Sequence, residues 1–330
     1  MSSARAGRVV TVAALRYDTD PVRIAAQLRS GSLALVALLA LSVACDGKPA
    51  APSAPTEVAA APAAPPRVPI RVTGIPDENP TELARGYAPM VQFLEQRLGV
   101  PVSYVPVIDY GAAVQALIAG KVDFAWLGGF THVQARTLAE VEPLAMRNID
   151  REFRSVIITH ADSGIAAPAD LRGKLFAFGS KSSTSGHLMP RHFLKTLFAI
   201  NPETDFAGPP VYSGAHDATV TLVESGKVAA GAVNIQVWER MVKEQKVDAA
   251  RVRVLWTSPP YVDYVWTARK AVPAEVRAGF RDAFLALDAK NSEHAKVLER
   301  MGATRYVPAA PADFDAIEEV ARASGLLARQ

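Results

Sequence analysis

The chain has 330 residues, 49% of them apolar and 21% charged, which is typical of a globular protein with material for one large domain or two. Residues 1–45 contain five arginines and two aspartates, so the rest of the chain keeps 31 of the 36 basic and 31 of the 33 acidic side chains. Without a basic excess there is no electrostatic footprint for a nucleic-acid backbone, and we expect no nucleic-acid partner. The single cysteine excludes an intrachain disulfide and a cysteine-based metal cluster.

An uncharged apolar run, residues 31–44, follows Arg29 and leads into LSVAC at residues 41–45. Its 14 residues are too few for a membrane span but suit the apolar region of a secretory signal peptide. Small residues before a lone cysteine resemble a lipobox, where the cysteine is lipidated and becomes the mature N-terminus. We therefore expect a signal peptide with a lipobox at residues 1–45 and lipidation at Cys45. The alternative is an ordinary signal peptide with an incidental cysteine.

Residues 46–67 contain 14 alanines and prolines among 22 residues. This composition cannot bury a core, so it predicts an extended linker. A lipid anchor with a long tether suits a soluble domain that meets a membrane partner. We expect an extracytoplasmic protein at the periplasmic face of the inner membrane.

From Val68 onward, predicted strands and helices alternate along the chain. The predicted strands are residues 68–75, 102–107, 122–127, 154–159, 174–178, 211–212, 229–233, 252–257 and 264–268. The predicted helices are residues 81–98, 110–119, 183–198, 216–225, 238–244, 274–287, 294–301 and 311–323. Such alternation is typical of parallel strands joined by crossover helices.

The pattern predicts an α/β fold with two lobes, each a mostly parallel sheet flanked by helices. The chain is expected to cross between the lobes twice. Lobe 1 then comprises residues 68–158 and 257–330, and lobe 2 comprises residues 159–256. Ligands of open α/β sheets bind beyond the carboxyl ends of the strands, so we expect a ligand cleft between the lobes.

Five hydroxyl side chains lie in residues 180–185, between a predicted strand and a predicted helix. A helix N-terminus offers unpaired N–H groups and a partial positive charge, and hydroxyl groups add short neutral donors. One helix cap needs one hydroxyl rather than five, so the segment favours a site for a small tetrahedral oxyanion. Neither a nucleotide P-loop nor the Gly-x-Ser-x-Gly turn of hydrolases is present in this segment.

This segment, with other stretches in the same order, resembles the periplasmic binding proteins of phosphate, phosphite and phosphonate ABC importers. The stretches are SSTSG at 182–186 with Pro190, VIDYG at 107–111, KVDFAWLGG at 121–129, SGAHDA at 213–218, VNIQ at 233–236 and SPPYVD at 258–263. Residues 75–80 and 185–191 are most similar to a branch of this family assigned to selenate transporters. The resemblance covers roughly residues 68–301.

The resemblance implies a type II periplasmic binding protein that captures a phosphonate, phosphite, phosphate or selenate ion by hinge closure. It also implies a monomer without a cofactor or enzymatic activity, whose partners are an ABC permease and its ATPase. In this family Tyr110 hydrogen-bonds the oxyanion from lobe 1 and His216 also reaches it. The opposing anion loop consists of Ser182, Ser183, Thr184 and Ser185.

Two positions depart from the family pattern. Of the two family carboxylates that contact the amine of an aminoalkylphosphonate, Asp263 matches one, whereas the other position is Gln236. The family's aromatic pair before the crossover strand falls at Phe153 and Arg154, and a guanidinium can clamp an oxyanion with two hydrogen bonds. Both departures favour an anion that carries no amine.

Other interpretations of these residues are kept open. Ser183, His216 and Asp263 are a conceivable hydrolase triad, although hydroxyls at a helix start bind anions without a dedicated base. A ligand sensor that docks on a signalling receptor is a third reading. The histidines show no metal-ligand spacing, so we expect no metal. Asp77 and Glu78 are left outside the site, because a carboxylate near an anion is unfavourable.

Overall fold

The computed structural model describes residues 68–327. The expected signal peptide at 1–45, the lipidation site Cys45 and the linker at 46–67 lie outside these residues. Within residues 68–327, none of the helices combines the length and apolar character that a bilayer crossing requires.

The described chain alternates strands and helices. The strands are β1 (Ile70–Gly74), β2 (Val102–Tyr104), β3 (Phe124–Leu127), β4 (Val141–Arg147), β5 (Ser155–His160), β6 (Phe176–Phe178), β7 (Val211–Tyr212), β8 (Ala230–Asn234), β9 (Val252–Thr257), β10 (Val265–Arg269) and β11 (Tyr306–Pro308). The helices are α1 (Pro80–Leu98), α2 (Tyr110–Ile118), α3 (Gly129–Leu138), α4 (Met189–Phe198), α5 (His216–Glu224), α6 (Ile235–Lys243), α7 (Ala274–Leu285), α8 (Ser292–Arg300) and α9 (Asp315–Ala323).

Two separate sheets form the two lobes. Lobe 1 contains the sheet β11-β4-β10-β3-β1-β2, and lobe 2 contains the sheet β7-β6-β8-β5-β9. In each sheet four strands run in one direction. The strands of opposite direction are β10 and β11 in lobe 1 and β5 in lobe 2. The predicted two-lobed α/β fold is confirmed. The antiparallel strands β5 and β10 are the first strands after each crossing of the chain between the lobes.

Some boundaries differ from the sequence analysis. Residues 155–158, expected in lobe 1, belong to β5, which pairs with β8 and β9 in lobe 2. Thr257 ends β9 and also belongs to the lobe 2 sheet. The predicted helix 183–198 is divided into a π-helical turn at Thr184–Leu188 and α4. Strands β4 and β11 and helix α3 had no counterpart in the sequence analysis.

Local sequence explains why the elements end where they do. Helix α1 begins with the Asn79 side chain accepting the Thr81 N–H and with proline in its first turn, and Gly99 ends it in the left-handed conformation (φ 64°).

The core of lobe 1 extends across the cleft, because Leu188, Met189 and Phe193 of lobe 2 pack into it. The anion loop is therefore seated on the apolar core of the opposite lobe.

Candidate anion site

The anion loop follows β6 and is shaped by Ser183. The Ser183 hydroxyl oxygen accepts the N–H of Gly186 at 2.9 Å, and its carbonyl accepts the N–H of Leu188 at 3.0 Å. Ser183 thus caps the π-helical turn and is almost fully buried. Its oxygen is used as an acceptor, and its hydroxyl also lies within hydrogen-bond reach of the Tyr110 hydroxyl, so the two side chains present their O–H groups at the same place.

The amides after Ser183 complete the loop. Among residues 68–327, the backbone N–H groups of Thr184 and Ser185 have no protein acceptor. Both residues are buried, and a buried N–H without an acceptor is costly. Two adjacent free amides at the start of a helical segment form a nest for an anion.

Gly186 allows His216 to approach this loop. A methyl group at Gly186 would lie 2.8 Å from His216 Cε1 and 3.0 Å from Ser183 Oγ, closer than carbon atoms pack. Only a residue without a side chain therefore fits between the histidine and the cap.

His216 is a neutral donor. Its Nδ1 lies 3.2 Å from the N–H of Asn234, so Nδ1 accepts and the proton resides on Nε2. Nε2 lies 3.4 Å from the Tyr110 hydroxyl. Burial lowers the pKa of His216 to about 3, so the ring stays neutral at physiological pH. It therefore offers an N–H rather than a charge.

Tyr110 brings a donor from lobe 1. It is the first residue of α2, whose start is fixed by the Asp109 carboxylate accepting the Ala112 N–H at 2.7 Å. Burial raises the pKa of Tyr110, so the phenol keeps its proton. Tyr110, Ser183 and His216 with the two free amides thus supply five neutral donors.

Asp263 and Thr184 lie beside this donor set, at the start of α3. Asp263 Oδ1 accepts the Gly129 N–H at 2.9 Å, and Thr184 Oγ1 accepts the Phe130 N–H at 3.0 Å across the cleft. Asp263 is 1% exposed, and its Oδ2 has no hydrogen-bond partner among the described residues. Burial raises the pKa of Asp263 to about 7, although the Gly129 N–H and the Thr184 hydroxyl lower it.

Three expected site residues are not drawn into this cluster. Arg154 Nη1 donates to the Ser258 carbonyl at 2.6 Å, so its guanidinium serves the connection between β9 and β10. The Gln236 side-chain oxygen lies near Gly302 of lobe 1, where an added methyl group would come within 3.1 Å of it. The Ser182 N–H is 3.3 Å from Ser180 Oγ, a contact within the loop.

The structure adds residues that sequence reasoning missed. Asn234 orients His216 and donates to the Tyr264 hydroxyl at 2.7 Å, and Tyr264 donates to Asp77 Oδ2 at 2.9 Å. Ser155 Oγ donates to the Ser185 carbonyl at 2.8 Å. The sequence signal for Asn234 was its place in the VNIQ stretch before α6; Asp77 had been set aside for its charge.

The geometry does not form a hydrolase triad. In such a triad a carboxylate accepts the histidine Nδ1–H. Here Nδ1 of His216 is itself an acceptor for Asn234, and Asp263 binds the Gly129 amide. Among the described residues no group of three histidine, cysteine or acidic side chains has the arrangement of a metal site.

Comparisons with known proteins identify the family. Residues 72–314 match the family model described as "ABC transporter, phosphonate, periplasmic substrate-binding protein". The "Probable ABC transporter phosphite binding protein PhnD1" of Prochlorococcus marinus (strain MIT 9301) is 36% identical over 265 residues, covering 77% of this chain and 89% of its own. The "Phosphate-import protein PhnD" of Mycolicibacterium smegmatis is 29% identical, covering 78% and 86%.

A solved structure shares the fold. PhnD1 from Prochlorococcus marinus in complex with methylphosphonate superposes with a TM-score of 0.75 at 32% identity, covering 78% of this chain and all but 1% of the other. The residues matched by the family model, 72–314, include strands of both lobes and the positions Tyr110, Ser183 and His216. The chain belongs to the family of periplasmic substrate-binding proteins of phosphonate ABC transporters.

Proposed function

We propose that this protein captures a small tetrahedral oxyanion that carries a proton and no amine, of the phosphite, phosphonate and phosphate class. The observation that carries the proposal is the donor set of Tyr110, Ser183, His216 and two free amides, with the unpartnered oxygen of Asp263 beside it. The donors can hydrogen-bond the unprotonated oxygens of an oxyanion, and the Asp263 carboxylate can accept a hydrogen bond from a protonated oxygen of the same ligand.

The carboxylate decides between classes of anion. Two negative charges in a buried site repel strongly unless a proton lies between them. Phosphite, phosphate and alkylphosphonates hold an exchangeable proton near neutral pH, whereas selenate does not. With the pKa of Asp263 at about 7, such a proton can be shared between ligand and carboxylate. The site therefore favours the phosphorus oxyanions over selenate.

The preference for an amine-free ligand rests on the missing second carboxylate. Position 236 is glutamine and its side chain lies outside the cluster, so a cationic amine would have only Asp263 as a charged partner. The names of the two curated relatives are consistent with an amine-free ligand, since they concern phosphite and phosphate.

Donors from both lobes imply capture by hinge closure and release by opening. Tyr110 comes from lobe 1, whereas Ser183 and His216 come from lobe 2. We further propose that Cys45 carries a lipid and that residues 46–67 tether the domain near its permease. The protein would thus work as a monomer at the periplasmic face of the inner membrane.

Calorimetric titration tests the ligand class. Phosphite, phosphate, methylphosphonate, selenate and 2-aminoethylphosphonate are titrated into the same preparation at pH 7.5. We expect one of the first three to bind at least about tenfold more tightly than the other two, a difference of about 1.4 kcal/mol. Tighter binding of selenate or of 2-aminoethylphosphonate contradicts the proposal.

A further inference from the structure

The loop between β1 and α1 joins lobe 1 to lobe 2 beside the anion site. The Asp77 carbonyl accepts the backbone N–H of His216 at 3.0 Å, and the Asn79 N–H donates to Asp217 Oδ2 at 3.0 Å. Between these two contacts Glu78 forms an ion pair with Arg240 of α6. The loop therefore contacts His216, whose ring is the proposed donor to the anion.

A small charged cavity of about 70 Å³ lies under this junction. Its charged lining consists of Asp77, Glu78, Glu82, Arg147, Arg240 and Arg300. Asp217 and Lys246 lie at its margin on lobe 2, with Lys246 Nζ 3.7 Å from Glu82 Oε2. Acidic groups thus approach one another from both lobes, and closure must neutralise them.

Two of the three arginines are already engaged within lobe 1. Arg147 makes hydrogen bonds of 2.9 and 2.6 Å to Asp150, and Arg300 donates to the Glu82 carbonyl at 2.6 Å. Arg240 is the arginine that lobe 2 contributes to this cavity. Arg240 and Lys246 are therefore cations whose distances from the acidic groups of lobe 1 change when the lobes move, and Arg240 is the one that pairs with Glu78 of the loop.

We propose that Arg240 is a positioning residue for lobe closure. When the lobes close, the Arg240 charge neutralises Asp77 and Glu78, and the loop that contains them then holds His216 at the anion site. Among the described residues Arg240 has no hydrogen bond to the donor set, although, besides burial, its charge helps to lower the pKa of His216. Its positioning role is exerted through the loop, whose Asp77 carbonyl accepts the first N–H of α5. The inference rests on the proposed function, because a change in the free energy of lobe closure is measured here as a change in affinity for the anion.

The charge balance at Glu78 gives the proposal a distinctive pH dependence. Burial and the neighbouring Asp77 and Asp217 raise the pKa of Glu78 to about 7, and Arg240 opposes this rise. Without Arg240 the carboxylates repel one another when they are ionised. Below this pKa Glu78 is neutral and the repulsion weakens. Removing Arg240 should therefore reduce anion affinity less at acidic pH than at alkaline pH.

The test compares Arg240→Gln, the double variant with Glu78→Gln, and the control Arg322→Gln, which removes a surface ion pair with Glu318 in lobe 1. Phosphite and methylphosphonate are titrated at pH 8.5 and pH 5.5. At pH 8.5 Arg240→Gln should lose about tenfold in affinity relative to wild type. At pH 5.5 this ratio should approach one, and taking the ratio cancels any protonation of the ligand.

The double variant should bind better at pH 8.5 than Arg240→Gln, because it removes the charge that Arg240 neutralises. The control should match wild type at both pH values. Equal affinity of wild type and Arg240→Gln at pH 8.5 overturns the proposal. A loss that is the same at both pH values, or that the double variant does not relieve, assigns Arg240 to plain packing and also overturns it.

A distance measurement separates this inference from the proposed function. Spin labels at the exposed turns Lys121→Cys in lobe 1 and Lys227→Cys in lobe 2, in a Cys45→Ser background, report the lobe separation without ligand. Arg240→Gln should shift the distribution toward longer distances at pH 8.5. If wild type binds neither anion, the proposed function fails, and this shift still decides the role of Arg240. An unchanged distribution refutes that role.

Discussion

Replacing Asp263 with asparagine separates the cost of burying a carboxylate from its use in the site. The residue is 1% exposed and accepts the Gly129 N–H at 2.9 Å. An asparagine oxygen preserves this hydrogen bond and the shape of the side chain but removes the charge. The rise in the Asp263 pKa from 3.8 to about 7 corresponds to a burial cost of about 4 kcal/mol.

The sign of the effect follows from the two protonation equilibria. In the unfolded chain Asp263 loses its proton near pH 3.8, whereas in the folded protein it does so near pH 7. The wild type therefore loses stability as the pH rises between these values, and above pH 7 the loss is complete. Asp263→Asn avoids this loss, so its free energy of unfolding above pH 7 should exceed that of wild type by up to about 4 kcal/mol.

Thermal unfolding of the ligand-free protein from pH 4 to pH 8.5 measures the effect. For a chain of this size each kcal/mol raises Tm by roughly 2–4 °C. The gain of Asp263→Asn should be greatest at pH 8.5 and vanish near pH 4, and the exposed Asp282→Asn should show no such gain. The variant should also bind phosphite and methylphosphonate more weakly than wild type. A variant less stable than wild type at pH 8.5 would refute the reasoning.

Two further predictions concern the anion loop and the membrane anchor. Gly186→Ala places a methyl group 2.8 Å from His216 Cε1, so it should weaken anion binding at least about tenfold. Gly208→Ala, with open space around it, should bind like wild type, and equal calorimetric affinities for both variants would contradict the packing argument. Cys45→Ser should release the protein from the membrane fraction during cell fractionation, and full retention would exclude the lipid anchor.

The sequence signal for the candidate anion loop is local. Several hydroxyls before a helix start are visible in the sequence, and the structure places Ser183 as the cap and Thr184 and Ser185 with free amides. The neutral state of His216 was less accessible. It depends on the Asn234 N–H, which approaches Nδ1 from a neighbouring strand 18 residues later in the chain.

Helix α3 was missed for a physical reason. Its cap position is Gly128, which has no side chain to mark a helix start. Its first amides are instead satisfied by Asp263 and by Thr184 from the opposite lobe. Asp263 lies 134 residues from Gly129, and Thr184 lies 54 residues from Phe130. A local sequence pattern therefore does not indicate the start of α3.

Arg154 is the opposite case, in which the structure gives a plausible site residue a different hydrogen-bond partner. Its position before β5 placed it near the cleft, but its guanidinium donates to the Ser258 carbonyl. Sequence spacing fixes the position of the Cα and leaves the direction of a long side chain to its tertiary partners. The candidate oxyanion site consequently consists of neutral donors, without the guanidinium that the sequence suggested.

This neutrality bears on how a transport protein releases its ligand. A cationic clamp acts over long distances and would hold an anion even when the lobes are partly open, whereas hydrogen bonds weaken steeply as donors move away. Here Tyr110 belongs to lobe 1, and Ser183 and His216 belong to lobe 2. Opening the lobes therefore removes one side of the donor set at once, and hydrogen bonds to a charged ligand contribute about 1.5–3 kcal/mol each. Under the proposed function, affinity is then a property of the closed state, and any contact that favours closure also determines how readily the anion passes to the permease.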